Sequence, residues 1–369
     1  MRILRFFILS IGFSLCIIFP VLEQGLDITN KYQSTEKRRL ASVPLFNLSD
    51  PKRFVREFKK YYSENFGGRN ILFYLYSLGK YRLLHQASLP EKVVVGKNGW
   101  FYAGNSFNYT VDNHRGMAPL SKAIMEKIKN RLQSYQRELR SQGIHMYLMI
   151  APDSYTIYPE NVPDHLKLNE CGTQMDQLET YLIQHSSIQL VNVRDTLMTA
   201  KTHAEIYYKT DTHWNNLGAL IASLTLAKRL RQDFPSIPKV SSSEYTLQKY
   251  TGSGGDLVTM IALNNDIQDP NYYDIMLPAR LNARQINSIP NAEGGLPSSQ
   301  FALSNPRLPK MLLFGDSFSY SMNRLISGFF RETLLCPHKT VDLKLIRHEK
   351  PDIVVIEIVE RNLNELARL

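Results

Sequence analysis

The chain has 369 residues, 43% of them hydrophobic, which is ample for a large buried core and excludes a collagen-like or wholly disordered protein. Lysine and arginine exceed aspartate and glutamate by 44 − 34 = 10. The basic residues are scattered apart from one short cluster, Lys37, Arg38 and Arg39, so they read as solvated surface rather than a nucleic-acid interface.

Arg2 and Arg5 precede an uncharged stretch over residues 6–22, FFILSIGFSLCIIFPVL. That length is at the short end of what spans a bilayer, and positive charge on its N-terminal side keeps that end in the cytoplasm. No small-x-small cleavage site follows, so residues 1–25 are expected to form an uncleaved signal anchor with the rest of the chain facing outward. Residues 26–50 are polar and punctuated and read as a linker. Phe54, Phe58, Tyr61 and Tyr62 at helical spacing predict a helix over 53–66, and a second is expected over 70–86, with Gly67 and Gly68 turning between them. We take 26–86 as linker and N-terminal helices and 87–369 as the main domain.

VVVGKNGWFYAGN (93–105) predicts a hairpin turning at Asn98-Gly99. From residue 120 helices and apolar strands alternate. A helix begins at Ser121 and ends before Gly143; strands are expected at 145–150, 188–193, 311–314 and 353–358, and helices at 174–185 and 214–231. This pattern predicts an α/β fold of three layers, a parallel central sheet with helices on both faces. Residues 235–305 are rich in Pro, Ser, Asn and Gly, show little periodicity, and are expected to be long loops over the sheet's active edge. Cys171 and Cys336 lack metal-type spacing; a single disulfide between them is open outside the cytoplasm.

Three segments carry chemistry. In LLFGDSFSY (312–320) a buried strand ends at Phe314 and Gly315-Asp316-Ser317 follows at once. A serine there projects above the sheet, with its own N–H available to a developing oxyanion, and Gly315 eases the turn. The tripeptide alone also fits a plain helix N-cap. In YYKTDTHWNNLGA (207–219), Asp211 and His213 sit two apart before a helix. Such spacing places a carboxylate on one imidazole nitrogen and leaves the other to take a serine proton. A capping Asp beside a surface His, or two metal ligands, are the other readings; no third ligand frames a zinc-type motif. In KPDIVVIEIVERN (350–362), Glu360, Arg361 and Asn362 leave a strand at the same carboxyl edge, where open α/β sheets bind ligands.

Together GDS, D-x-H and the PDIVVI strand resemble the SGNH (GDSL-like) hydrolase superfamily, and their permuted order resembles the alginate O-acetyltransferase family of the AlgX/AlgJ type. ENFGGRN (64–70), VGKNGWFY (95–102) and MIAPDSYTIYPENVP (149–163) extend the likeness. The resemblance implies an SGNH hydrolase-like catalytic domain that moves acetyl groups onto exopolysaccharide hydroxyls. It assigns Ser317 as nucleophile, His213 as general base and Asp211 as its orienting acid, with no cofactor and no metal. It also implies a membrane-bound O-acyltransferase as acetyl donor and a periplasmic or extracellular catalytic domain. The chain stops soon after Asn362, so an added carbohydrate-binding module is not expected. Where ordinary members place an oxyanion-hole Asn, this chain has Arg361 with Asn362 beside it. We expect Arg361 to replace that donor or grip substrate, with Asn362, Gly315, Tyr320 and Trp214 as further candidates around the site. GSGGDL (252–257) resembles the family's glycine-rich approach loop and equally fits a surface turn. Trp100, Tyr102 and Trp214 offer faces for sugar stacking or for core packing. An acetyl esterase and a non-catalytic polysaccharide-binding subunit are the rival readings. The basic balance suits a uronic-acid polymer, while a neutral or amino-sugar polymer stays open.

Overall fold

The computed structural model describes residues 2–29, 32, 39–167, 172–291, 295–337 and 340–368. Cys171, and with it the Cys171–Cys336 pairing, and Lys37 and Arg38 of the basic cluster lie outside them.

The N-terminal run forms one helix, Arg2–Leu26. Its segment Leu4–Leu26 is long and apolar enough to cross a membrane, and its side chains stand almost entirely exposed. At about 1.5 Å per residue, those 23 residues reach about 35 Å. Two further helices, Pro51–Asn65 and Arg69–Leu84, are separated by Gly67 and Gly68, the latter in the left-handed region at φ 73°. The hairpin forms as expected from β1 (Val93–Val95) and β2 (Phe101–Ala103). Asn98 and Gly99 both take positive φ, 54° and 78°, as a two-residue turn of matching twist requires.

The remaining strands are β3 (His145–Ala151), β4 (Gln189–Val191), β5 (Thr246–Gly252), β6 (Asp269–Met276), β7 (Arg284–Ile289), β8 (Ser298–Ala302), β9 (Lys310–Phe314), β10 (Glu332–Cys336) and β11 (Ile353–Val359). A seven-stranded sheet has the order β4-β3-β11-β9-β10-β8-β7. Its first five strands run parallel, while β8 and β7 add on antiparallel.

Side-chain alternation along the parallel strands divides the core into two layers. Tyr147, Met149, Leu313, Val355 and Val359 face one side, packed with Leu220 and Leu226 of the helix Asn216–Leu230. Met146, Leu148, Leu312, Val354 and Ile356 face the other, packed with Ile128 and Leu132 of Lys122–Ser141 and Leu178 and Leu182 of Gln174–His185. The three-layer α/β architecture read from the sequence is therefore present, with a mostly parallel sheet.

The expectation of long loops over 235–305 is corrected. That segment contains the antiparallel pair β5–β6 and the two strands, β7 and β8, that extend the sheet. Six of seven residues in β5 and all of β7 are exposed. Strands that bury no face are held by backbone pairing, so hydrophobic periodicity is silent about them.

Candidate active site

β3, β11 and β9 are adjacent and parallel, so their carboxyl ends share one edge. The turn Gly315-Asp316-Ser317 follows β9 there and enters the short helix Ser317–Ser321. Asp316 caps that helix: its Oδ1 accepts from Phe318 N–H at 3.0 Å, and its Oδ2 accepts from Val359 N–H at 2.9 Å. One carboxylate thus ties the serine turn to the end of β11. Gly315 does not adopt a left-handed backbone. A Cβ on it would lie 2.4 Å from Ser319 Oγ and 2.7 Å from Glu357 Oε2, so close approach, rather than the turn's dihedral, demands glycine. Glu357 sits buried beneath the turn and accepts from Asp316 N–H at 3.0 Å. Burial, and then the charge of Asp316, push its carboxyl well above the usual range.

The D-x-H segment is a closed clip. Tyr207 and Trp214 form an isolated bridge, and Asn215 N–H donates to Ile206 O at 3.0 Å. Asn215 then caps the helix Asn216–Leu230 by accepting from Gly218 N–H at 3.0 Å. The β1–β2 hairpin braces the clip, since Phe101 N–H donates to Lys209 O at 2.7 Å. Trp214 Nε1–H donates to Ser321 Oγ at 2.6 Å, docking the clip onto the serine helix.

The docked pieces meet in one hydrogen-bond chain. Ser317 Oγ lies 2.7 Å from His213 Nε2, and His213 Nδ1 lies 2.6 Å from Asp211 Oδ1. Asp211 Oδ1 also accepts from His213 N–H at 3.1 Å, and its Oδ2 accepts from Asp256 N–H at 2.8 Å. The side chains of His213 and Asp211 are 25% and 19% exposed, so the imidazole is partly open to solvent. Burial disfavours the imidazolium, but the hydrogen bond and charge of Asp211, joined by Asp256, outweigh it and raise the His213 pKa. Burial likewise opposes ionisation of Asp211, and the bonds from His213 and Asp256 reverse that and lower its pKa.

The glycine-rich stretch is part of this site and not a surface turn. A Cβ on Gly255 would lie 2.4 Å from Asp211 Cβ, so only glycine lets the loop press on the carboxylate. Asp256 accepts from Thr212 N–H at 2.9 Å and from Thr212 Oγ1–H at 2.8 Å. Asp211, His213 and Asp256 bring one potential metal-ligand atom each within 4.8 Å of one another. Both His213 nitrogens and both Asp256 oxygens are already engaged, so a cation would have to break the chain just described.

Of the remaining candidates, Arg361 is buried beside these residues. It forms an ion pair with buried Asp153 through its guanidinium and donates its N–H to Asp153 Oδ2 at 3.0 Å. Its guanidinium lies 5.3 Å from the centre of the Phe318 ring, and that ring lies 5.0 Å from the His213 ring. Asn362 Oδ1 accepts from Asn108 Nδ2–H at 2.6 Å, which ties this side chain to the loop before the helix Thr110–His114. Tyr320 is 37% exposed beside a cleft. Trp214 is 1% exposed and packs edge-on against Phe318; it positions the clip and has no face for a sugar. Trp100 and Tyr102 are likewise core residues.

Sequence reasoning passed over Asp153, Asp256 and Glu357. Glu357 had a readable signal, a lone acid inside the buried run IVVIEIV. Asp153 follows the end of β3 just as Ser317 follows β9. Asp256 had only the glycines beside it.

Known proteins share this architecture. The chain is similar to the probable alginate O-acetylase AlgJ of Pseudomonas aeruginosa, 23% identical over 301 residues, covering 80% of this chain and 71% of that one. It matches the namesake from Pseudomonas fluorescens at 23% over 283 residues, covering 76% of this chain and 66% of the relative. The solved structure of Bacillus cereus PatB1 overlays with a TM-score of 0.55 at 14% identity, over 73% of this chain and 96% of that one. The O-acetyltransferase domain of Pseudomonas putida AlgJ overlays at 0.51 and 17% identity, over 75% and 99%. At these identities the overlays are a likeness of fold. The family model for the SGNH hydrolase-like domain of the acetyltransferase AlgX matches residues 93–334, more than half of the sequence, and the chain belongs to that family.

Proposed function

We propose that this chain is an O-acetyltransferase that moves acetyl groups onto polysaccharide hydroxyls through an acetyl-Ser317 intermediate. The observation that carries the reading is the unbroken chain Ser317 Oγ–His213 Nε2, His213 Nδ1–Asp211 Oδ1. His213 Nε2 takes the Ser317 proton as Oγ attacks the acetyl carbonyl, and returns it to the donor's leaving group as that bond breaks. A sugar hydroxyl then gives its proton to the same nitrogen while its oxygen attacks the acetyl ester, and the proton passes back to Ser317 Oγ. Ser317 is the first residue of its helix, so its N–H has no intrahelical acceptor and is the donor we assign to the oxyanion.

The names of the AlgJ relatives support acetyl chemistry on a polysaccharide. The apolar helix Arg2–Leu26 supports a membrane anchor with the catalytic domain on the extracytoplasmic side, fed by a membrane-bound O-acyltransferase.

The test loads the full chain with an activated acetyl ester, quenches it and maps the peptides. We expect the acetyl group on Ser317 and its release to a saccharide hydroxyl when a glycan is added. Acetyl found on another residue would refute the intermediate, and release only as acetate in every glycan would make the protein an esterase.

Arg361 is the second oxyanion or substrate donor in this reading. Arg361→Ala is expected to lower transfer by about 10²-fold and, by leaving Asp153 buried alone, to cost about 3–5 kcal/mol of stability. Arg361→Lys keeps the charge but not the planar fork, and should recover stability more than rate in parallel melts and acyl-transfer assays. Transfer unchanged in Arg361→Ala removes the role.

A further inference from the structure

A cleft of about 730 Å³ opens beside the triad, a volume typical of small-ligand sites. Tyr320 and Ser321 line it, three and four residues after Ser317 on the same helix. Residues at that spacing share a helix face, so the cleft lies along the face that carries the nucleophile. Asn216, three residues after His213, also lines it, as do Gln248 and Asp274 from β5 and β6.

The walls mix apolar side chains, Ile275, Met276, Leu277, Phe301 and Leu325 among them, with polar ones. Asp274 and Arg324 are the only charged side chains among the lining residues, one of each sign. The other polar groups are amides and hydroxyls. Lys249, on the same strand as Gln248, is occupied elsewhere, 3.5 Å from Glu205 and over the Tyr273 ring. Asn216 Nδ2 donates to Tyr273 O at 2.7 Å, which leaves its Oδ1 to accept from a ligand. The overall charge of +10 therefore does not gather in the cleft. A polyuronate carries one carboxylate per sugar and would meet a wall with no surplus cation. An uncharged glycan presents the hydroxyl donors and acceptors that amides and hydroxyls match.

We infer that this cleft is the acceptor subsite and that its ligand is an uncharged, hydroxyl-rich glycan segment rather than a polyuronate. The inference rests on the acetyl transfer proposed above. In that setting a hydroxyl of the bound sugar reaches acetyl-Ser317 from the side of Tyr320.

The experiment follows the full chain in detergent with p-nitrophenyl acetate. The nitrophenol burst reports acylation of Ser317, and mass spectrometry of added glycans reports transfer. Neutral cello- and chito-oligosaccharides should accept acetyl at least about ten-fold faster than oligomannuronate of equal length, about 1.4 kcal/mol of discrimination. Gln248→Lys combined with Asp274→Lys, compared per unit of burst, should shift the preference toward oligomannuronate. A burst followed by equal transfer, by faster transfer to oligomannuronate, or by no transfer to either class overturns the inference while leaving Ser317 as nucleophile. An unchanged acceptor ratio in the double variant does the same. Absence of the burst removes the acetyl-serine reading and the acceptor subsite with it.

Discussion

Ser317→Ala is expected to lower acetyl transfer from a model ester by about 10⁴-fold or more, because the step it removes has no substitute nearby. Its Oγ is the only hydroxyl within hydrogen-bonding distance of His213 Nε2 among the described residues. In the proposed mechanism the N–H at the start of the Ser317–Ser321 helix and Arg361 still bind a carbonyl oxygen, so a small residual rate over solution is expected. The fold should not suffer. The lost hydroxyl bonds His213 alone, alanine suits a helical position, and the caps made by the Asp316 carboxylate do not involve the Ser317 side chain. The measurement pairs the nitrophenol burst with a thermal melt. A variant that melts like the parent yet keeps the burst would show that another residue takes the acetyl group.

Asp211→Asn should be nearly as damaging, about 10⁴-fold, for a different reason. Both oxygens of Asp211 accept: Oδ1 from His213, Oδ2 from Asp256 N–H. An amide must turn its NH2 toward one of these donors, so either the imidazole tautomer or the loop contact is lost. The pH profile separates this from general damage. The proposed base works as neutral imidazole, and Asp211 raises the His213 pKa against the pull of burial. Parent activity should therefore fall as pH drops through a value above the ordinary imidazole range. Without the carboxylate, the midpoint of the residual activity should move to lower pH. Glu360, which burial and the charge of Asp153 push up to about 7, titrates in the same region. Its carboxylate accepts from Thr156 Oγ1–H and Asp153 N–H, away from the triad. A midpoint that stays put in Asp211→Asn would assign the acid limb to Glu360 instead.

Much of this site was readable because its parts are local. GDS after an apolar strand and D-x-H before a helix each declare a position, and the strand order brings them to one edge. The helices at 122–141 and 174–185 were equally visible, since each buries one stripe and carries its own N-cap, Ser121 and Thr173. What stayed hidden was defined by contact across the chain. Asp256 matters because Gly255 lets its loop touch Asp211, 45 residues away. Asp153 matters because Arg361 reaches back to it over 208 residues. β5 and β7 were missed because they bury little, and no apolar rhythm marks a strand held by its neighbours' backbones.

Ser317 and His213 are anchored very differently. β9 is the middle strand of seven, paired on both sides by backbone ladders, whereas the clip that carries His213 is held largely through acidic residues: Asp269 accepts from Thr210, Asp256 accepts from Thr212, and Asp211 Oδ2 accepts from Asp256 N–H. Removing one of these acids would loosen the clip while the central strands stay paired. A change at Asp256 would thus part His213 from an intact Ser317, and the acetyl transfer proposed for this chain would be lost while the sheet stays folded.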